Sequence, residues 1–350
     1  MNLSYRTRRT LRRVGMAALA LLLVLALVVV IWVLWLDRYV VYSRDGAAFD
    51  FERSSEEMSG VVAQPPEPRE TVNIIYNEGA GAVDTSIELD KLYGYYISSD
   101  MLSEEMQMVQ KTVAALPNGS TVMIDVKSAY GYFFYTSGLG KISEDVQSGA
   151  VDALIADMKS RNMYLIARVP AFRDYDYGLS HTESGLWMEG HLGLWWDEDN
   201  CYWLDPAKSG TLNYLIQIVT ELKGLGFQEV VFSEFRFPSG MNEIEYEAED
   251  LKQVLNTAAQ NLVTSCTTTT FAVSFEANFG DLTLSEGRCR QYVRNVSAVS
   301  VQDAAEKSGL PDPFSQMVVV TDSNDTRFDA YGVLRPITQV EVEDDTADQD

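Results

Sequence analysis

Basic residues are scarce in this sequence: 27 Lys and Arg stand against 51 Asp and Glu in 350 residues, a net charge of −24. So acidic a surface repels phosphate backbones and offers no basic stripe to follow them, which excludes nucleic acid as a partner. Cysteine is scarcer still. Cys201, Cys266 and Cys289 form neither a CxxC pair nor a zinc pattern, and a domain this long can bury an adequate core without a disulfide framework. Three buried thiols fit this count, and so does one bridge with one thiol left over. There are two histidines, His181 and His191, ten residues apart and without HExxH or carboxylate spacing, so no metal site is read. No serine stands in a GxSxG elbow, and Walker and dinucleotide-binding fingerprints are absent, so no cofactor is expected. If the chain carries a nucleophile, elimination leaves the carboxylates.

Charge is also missing from residues 14–36, an uninterrupted run dominated by Leu, Val and Ala. At about 1.5 Å per residue it can cross a hydrocarbon core of about 30 Å as a helix. Arg6, Arg8, Arg9, Arg12 and Arg13 precede it and no acid occurs before Asp37, an asymmetry that keeps the N-terminus in the cytoplasm. Trp32, Trp35 and Tyr39 stand where an aromatic belt meets the outer interface. A cleaved signal peptide also begins basic and continues apolar, but its apolar region is about 7–15 residues long and ends in small residues. This run is longer and ends in Trp-Val-Leu-Trp-Leu. The expected organisation is a basic cytoplasmic tail (1–13), a transmembrane helix (14–36) and a juxtamembrane linker rich in Glu, Ser and Pro (37–71). An extracytoplasmic domain (72–338) and an acidic disordered tail (339–350) follow.

Within the domain, short β-rich runs at 93–99, 121–127, 164–170, 229–235, 271–277, 296–302, 317–321 and 331–336 alternate with helix-period segments. Val109 and Val113 share a helical face, with Ser103 as a candidate N-cap. Val151, Leu154, Ile155 and Met158 repeat the spacing. So do Leu212, Leu215, Ile216, Val219 and Leu222, ahead of Gly224 and Gly226 as a stop. Strand–helix alternation implies parallel strands with right-handed crossovers, and eight strands in about 250 residues fit an α/β fold of (β/α)8 TIM-barrel type. An open doubly wound sheet would carry a Gly-rich phosphate loop after its first strand, and residues 93–100 have none.

In such a barrel, function gathers at the C-terminal strand ends. Those ends hold Asp125 and Lys127, Arg168, Glu234 and Arg236, and Glu276. Charges there are either a structural ion-pair ring or the paired carboxylates that glycosidic cleavage needs, one acid and one nucleophile or base. All four tryptophans beyond the apolar run fall in one loop: Trp187, Trp195, Trp196 and Trp203. Their flat rings suit sugar stacking, and equally suit a hydrophobic cluster that pins a long loop.

Met123-Ile-Asp-Val-Lys127, Tyr164-Leu-Ile-Ala-Arg168, Phe172-Arg-Asp174, Trp203-Leu-Asp-Pro206 and Gly226-Phe-Gln-Glu-Val-Val-Phe-Ser-Glu-Phe-Arg-Phe-Pro238 occur in that order. Together they resemble the glycoside-hydrolase-like TIM-barrel family DUF4015, over residues 93–280. The resemblance implies an extracytoplasmic (β/α)8 barrel that acts on or binds a polysaccharide, such as a cell-wall glycan. Ser128 and Ser233 stand where the family pattern has acids. Two functions follow. One is an anchored hydrolase with Glu234 and Glu276 as acid and nucleophile or base, Asp125 orienting substrate, and Arg168 and Arg236 tuning the carboxylates. Lys127 and the four tryptophans would complete its substrate contacts. The other is a barrel without catalysis that binds glycan or scaffolds the envelope.

Overall fold

Alternation with period two builds the wall of the domain. In Thr121–Asp125, Val122 and Ile124 turn outward to the helices while Met123 and Asp125 turn inward, and neighbouring strands repeat the pattern. The computed structural model describes residues 40–43, 46–49 and 89–340, apart from 248–249, 279 and 284–288. The chain divides into two units, 1–78 and 79–350. Of the first, an antiparallel hairpin of Val40–Ser43 and Gly46–Phe49 is described. The expected span 14–36, most of the linker and residues 341–350 of the acidic tail lie outside the described residues. Among those described, no helix is long and apolar enough to cross a membrane.

The second unit holds eight parallel strands closed into a barrel: β1 (Tyr93–Ile97), β2 (Thr121–Asp125), β3 (Tyr164–Pro170), β4 (Glu229–Ser233), β5 (Ala272–Glu276), β6 (Gln291–Val293), β7 (Met317–Val320) and β8 (Gly332–Pro336). They pair in sequence order, and β8 closes on β1 with Leu334 level with Gly94. The (β/α)8 expectation therefore holds. Seven of the eight expected strands overlap an observed one. The sixth does not: residues 296–302 form a serine-bonded turn and the start of a helix, Val301–Ser308, and the sixth strand is Gln291–Val293.

The principal outer helices are α1 (Ser99–Glu104), α2 (Met106–Ala115), α3 (Ser148–Ser160), α4 (Tyr175–Ser180), α5 (Ser209–Leu225) and α6 (Leu251–Cys266). Ser103 is not the expected cap. It lies inside α1, which Ser98 caps by accepting from the Met101 N–H. Gly226 does stop α5: its φ of 108° is left-handed, and its N–H closes the last turn onto the Leu222 carbonyl, whereas Gly224 stays within the helix.

Three layers fill the barrel. At the N-terminal end, fully buried Glu229 accepts from Arg290 at 2.6 Å, Ser274 at 2.5 Å, Tyr292 at 3.0 Å and Tyr164 at 3.0 Å. Above it Met123, Ile166, Val231, Tyr292, Val318 and Leu334 form an apolar plug. The third layer, at the C-terminal strand ends, is charged.

Candidate active site

At that C-terminal mouth the period-two pattern aims Tyr96, Asp125, Arg168, Ser233 and Glu276 inward. Arg168 spans two strands. Its Nη1 lies 3.2 Å from Asp125 Oδ1, and its Nε and Nη2 lie 2.7 and 3.3 Å from the two Glu276 oxygens. Asp125 Oδ2 also accepts from the Tyr96 hydroxyl at 2.6 Å and the Ser99 N–H, at the start of α1, at 3.1 Å. Arg294, just past β6, brings Nε to 3.3 Å from Glu276 Oε1, at ion-pair distance but without hydrogen-bond alignment, and lays its guanidinium 4.5 Å over the Tyr96 ring.

The charges hold one another. Burial alone would raise the Glu276 pKa, but Arg168 and then Arg294 outweigh it, and the carboxyl stays below its ordinary range. Burial also opposes the charge on Arg168, yet Asp125 and Glu276 secure it above that of a free guanidinium. Burial, and after it the neighbouring Asp125 carboxylate, raise the Tyr96 hydroxyl, which stays protonated and donates.

Glu234 follows β4 with φ of 51°, a left-handed backbone rare for a residue with a side chain. Its carboxylate pairs with Arg236 at 2.9 Å, and the Arg236 guanidinium covers the Trp203 ring at 4.8 Å. Phe232 on β4 is level with Phe275 on β5, so Glu234 stands one residue beyond the level of Glu276 on the adjacent strand end. Backbones of neighbouring strands are about 4.8 Å apart. The backbones of the two glutamates are therefore neighbours along the rim.

Three expected substrate contacts are placed elsewhere. Lys127 is wholly buried, with Nζ 2.6 Å from Asp174 Oδ2, and Asp174 also accepts from the Tyr214 hydroxyl and the Tyr177 N–H. Its ammonium joins the loop after β2 to the N-terminus of α4 and is closed to ligand. Trp195 and Trp203 are buried, and their indole N–H groups donate to Glu243 and Asp197. Both rings pack into the core beneath the loop. Trp187 is half-buried and stacks on His191, while Trp196 is 47% exposed. Ser128, at one family acid position, accepts from the Tyr132 N–H and closes a turn. Ser233, at the other, is buried with its hydroxyl unpartnered.

Three site residues escape a reading of the sequence: Tyr96, Ser99 and Arg294. Arg294 leaves a trace, because Arg290, Tyr292 and Arg294 alternate with strand period, but the more apolar 296–302 is the stronger local signal. The three cysteines are free and buried.

Among solved structures, a hypothetical protein from Ruminiclostridium thermocellum is 21% identical over 52% of this chain and 97% of its own, with a TM-score of 0.44. The galactosidase domain of the alpha-galactosidase-sucrose kinase AgaSK is 14% identical over 71% of this chain and 38% of its own, at 0.47. The GH36 alpha-galactosidase AgaA from Geobacillus stearothermophilus is 12% identical over 72% and 40%, at 0.49. The chain thus spans about two-fifths of the length of those two galactosidase chains. No curated protein sequence matches it. The family model DUF4015, Putative glycosyl hydrolase domain, matches residues 94–276, from the first strand of the barrel to the last residue of the fifth. That is more than half of the sequence, and the chain belongs to the DUF4015 family.

Proposed function

We propose that this barrel hydrolyses a glycosidic bond of a polysaccharide, such as a cell-envelope glycan, by carboxylate acid–base chemistry. The observation that carries the reading is the pair of glutamates at adjacent strand ends in unlike surroundings. Glu276 is held ionised by Arg168 and Arg294, which suits a nucleophile or base and not a proton donor. Glu234 pairs with one arginine where Glu276 faces two, and its side chain is 30% exposed, so of the pair it takes the proton-donor role. Asp125, fixed by Tyr96, Ser99 and Arg168, orients the sugar. Arg236, between Glu234 and Trp203, positions the acid. The apolar run at 14–36 and the arginines before it support placing the barrel outside a cytoplasmic membrane with the N-terminus inside.

A barrel that binds glycan without cutting it is the second reading, favoured by the unpartnered hydroxyl of Ser233 at a family acid position. Reducing ends released from purified cell-wall glycans by the detergent-solubilised full chain separate the two. Glu276→Gln and Glu234→Gln are each expected to lose more than about a hundredfold, the size of an acid–base contribution. Glycan bound with no reducing ends released by the parent protein would sink the hydrolase reading.

A further inference from the structure

The hairpin running from Trp196 to Tyr202 puts no side chain among the charges of the mouth, yet it is held by several ion pairs and hydrogen bonds. Arg173 grips its tip, donating to Asp197 and Asp199 at 2.6 Å each, and Asp197 Oδ1 accepts from the N–H groups of Asp199 and Cys201. Trp196 and Tyr202 are opposed across it, which puts their side chains on one face. Tyr175 stacks on Tyr202 at 5.2 Å with 15° between planes, and Tyr130 stands 6.5 Å from Tyr175, tilted by 54° to it, with its hydroxyl donating to the Asp199 carbonyl. The two end rings are open to solvent, Tyr130 at 42% and Trp196 at 47%.

We infer that the exposed rings of Trp196 and Tyr130, braced by the stacked Tyr202–Tyr175 pair between them, form a second glycan site, an aromatic platform that holds an uncharged polysaccharide chain beside the mouth. Exposed rings with polar edges take either nucleobases or sugars on their faces, and here those open rings are Tyr130 and Trp196. Bases arrive with phosphates, and this hairpin presents Asp197, Glu198 and Asp199 in a chain of net charge −24, so the platform repels them. The same carboxylates disfavour acidic sugars and accept hydroxyls from neutral ones. Because Arg173 fixes the hairpin in advance, little ordering is lost when a ligand is bound. The platform also connects to the candidate acid: Asp197 holds the Trp203 indole, whose ring lies under Arg236, the partner of Glu234.

The ligand class rests on the glycoside-hydrolase reading; the platform does not require catalysis. The full-length chain in detergent is measured for retention on cellulose, chitin, xylan and galactomannan, with polygalacturonate as the acidic counterpart. At least one uncharged polysaccharide is expected to bind. The double variant Tyr130→Ala/Trp196→Ala removes both exposed rings and is expected to bind at least about tenfold more weakly, whereas Tyr130→Phe, which loses only the hydrogen bond to the Asp199 carbonyl, should keep most of the affinity. Trp196→Phe alone, which keeps an aromatic face at that position, should retain most of the parent's affinity. Binding that survives in the double variant, preference for polygalacturonate, or retention on none of the five would each overturn the proposal. Loss of binding in the double variant, from a parent that releases no reducing ends, would uphold the platform and reject the hydrolase.

Discussion

Lys127 offers the sharpest test of structure against expectation, since its place in a family motif suggests a substrate ligand while its surroundings make it a structural ion. Both partners of the Lys127–Asp174 pair are wholly buried at 2.6 Å. Removing one partner of such a pair strands the other and costs about 3–5 kcal/mol. Asp174→Asn leaves the ammonium without a countercharge and should fall at the upper end. Lys127→Met leaves a carboxylate that still accepts from Tyr214 and Tyr177, and should fall at the lower end. The double variant Lys127→Met/Asp174→Asn removes both charges, keeps an acceptor for the Tyr214 hydroxyl and the α4 cap, and should cost only about 1 kcal/mol. At roughly 2–4 °C per kcal/mol for a domain of this size, each single variant lowers the melting temperature by about 10 °C and the double recovers most of it. Thermal melting of the full-length protein followed by tryptophan fluorescence reads all four states. A Lys127→Met protein that melts with its parent but needs far more glycan for half-maximal rate would refute the reasoning and return Lys127 to the substrate.

Two further outcomes follow from the shifted groups. The Glu276 pKa is lowered on folding, so its ion pairs stabilise fully above the unfolded carboxylate value of about 4.3 and fade as pH falls through the folded one. Melting temperature should therefore drop with acidification below about pH 5, and less steeply in Glu276→Gln; parallel profiles would contradict the assignment. Burial pushes the Cys266 thiol up to about 11 and Cys201 up to about 12, so the native protein should resist iodoacetamide at pH 8 and label only on unfolding. Rapid native labelling of either would sink this.

The barrel was legible because most of its strands obey one rule: outward residues are apolar and inward ones fill a plug. Glu229–Ser233 and Tyr164–Pro170 stand out as unbroken β-rich runs. Gln291–Val293 does not, being three residues long between two arginines, and a hydrophobic scan passes over it. Those guanidiniums are tolerated because Glu229 and Glu276 await them inside, a fact about distant residues that no local window contains. The site was half legible for the same reason. Strand-end charges named Asp125, Arg168 and Glu276 in advance. Which charge meets which depends on register across the barrel, and the fate of the tryptophans depends on how the loop folds back. Four similar rings in one stretch divided into two buried props and two left at least partly open.

The shortest strand has a consequence for the assembly of the whole. Arg290 and Arg294 flank β6 with a spacing that sends one guanidinium to each end of the lumen. A slip of β6 by one residue would turn both outward, exchanging two satisfied ions for two stranded among helix-facing side chains. Strands usually keep their alignment through greasy patterning, of which three residues carry little. Here a pair of cations acts as a ruler, accepted only when both marks coincide with their acids, and closure of the last quarter of the ring is proofread by charge.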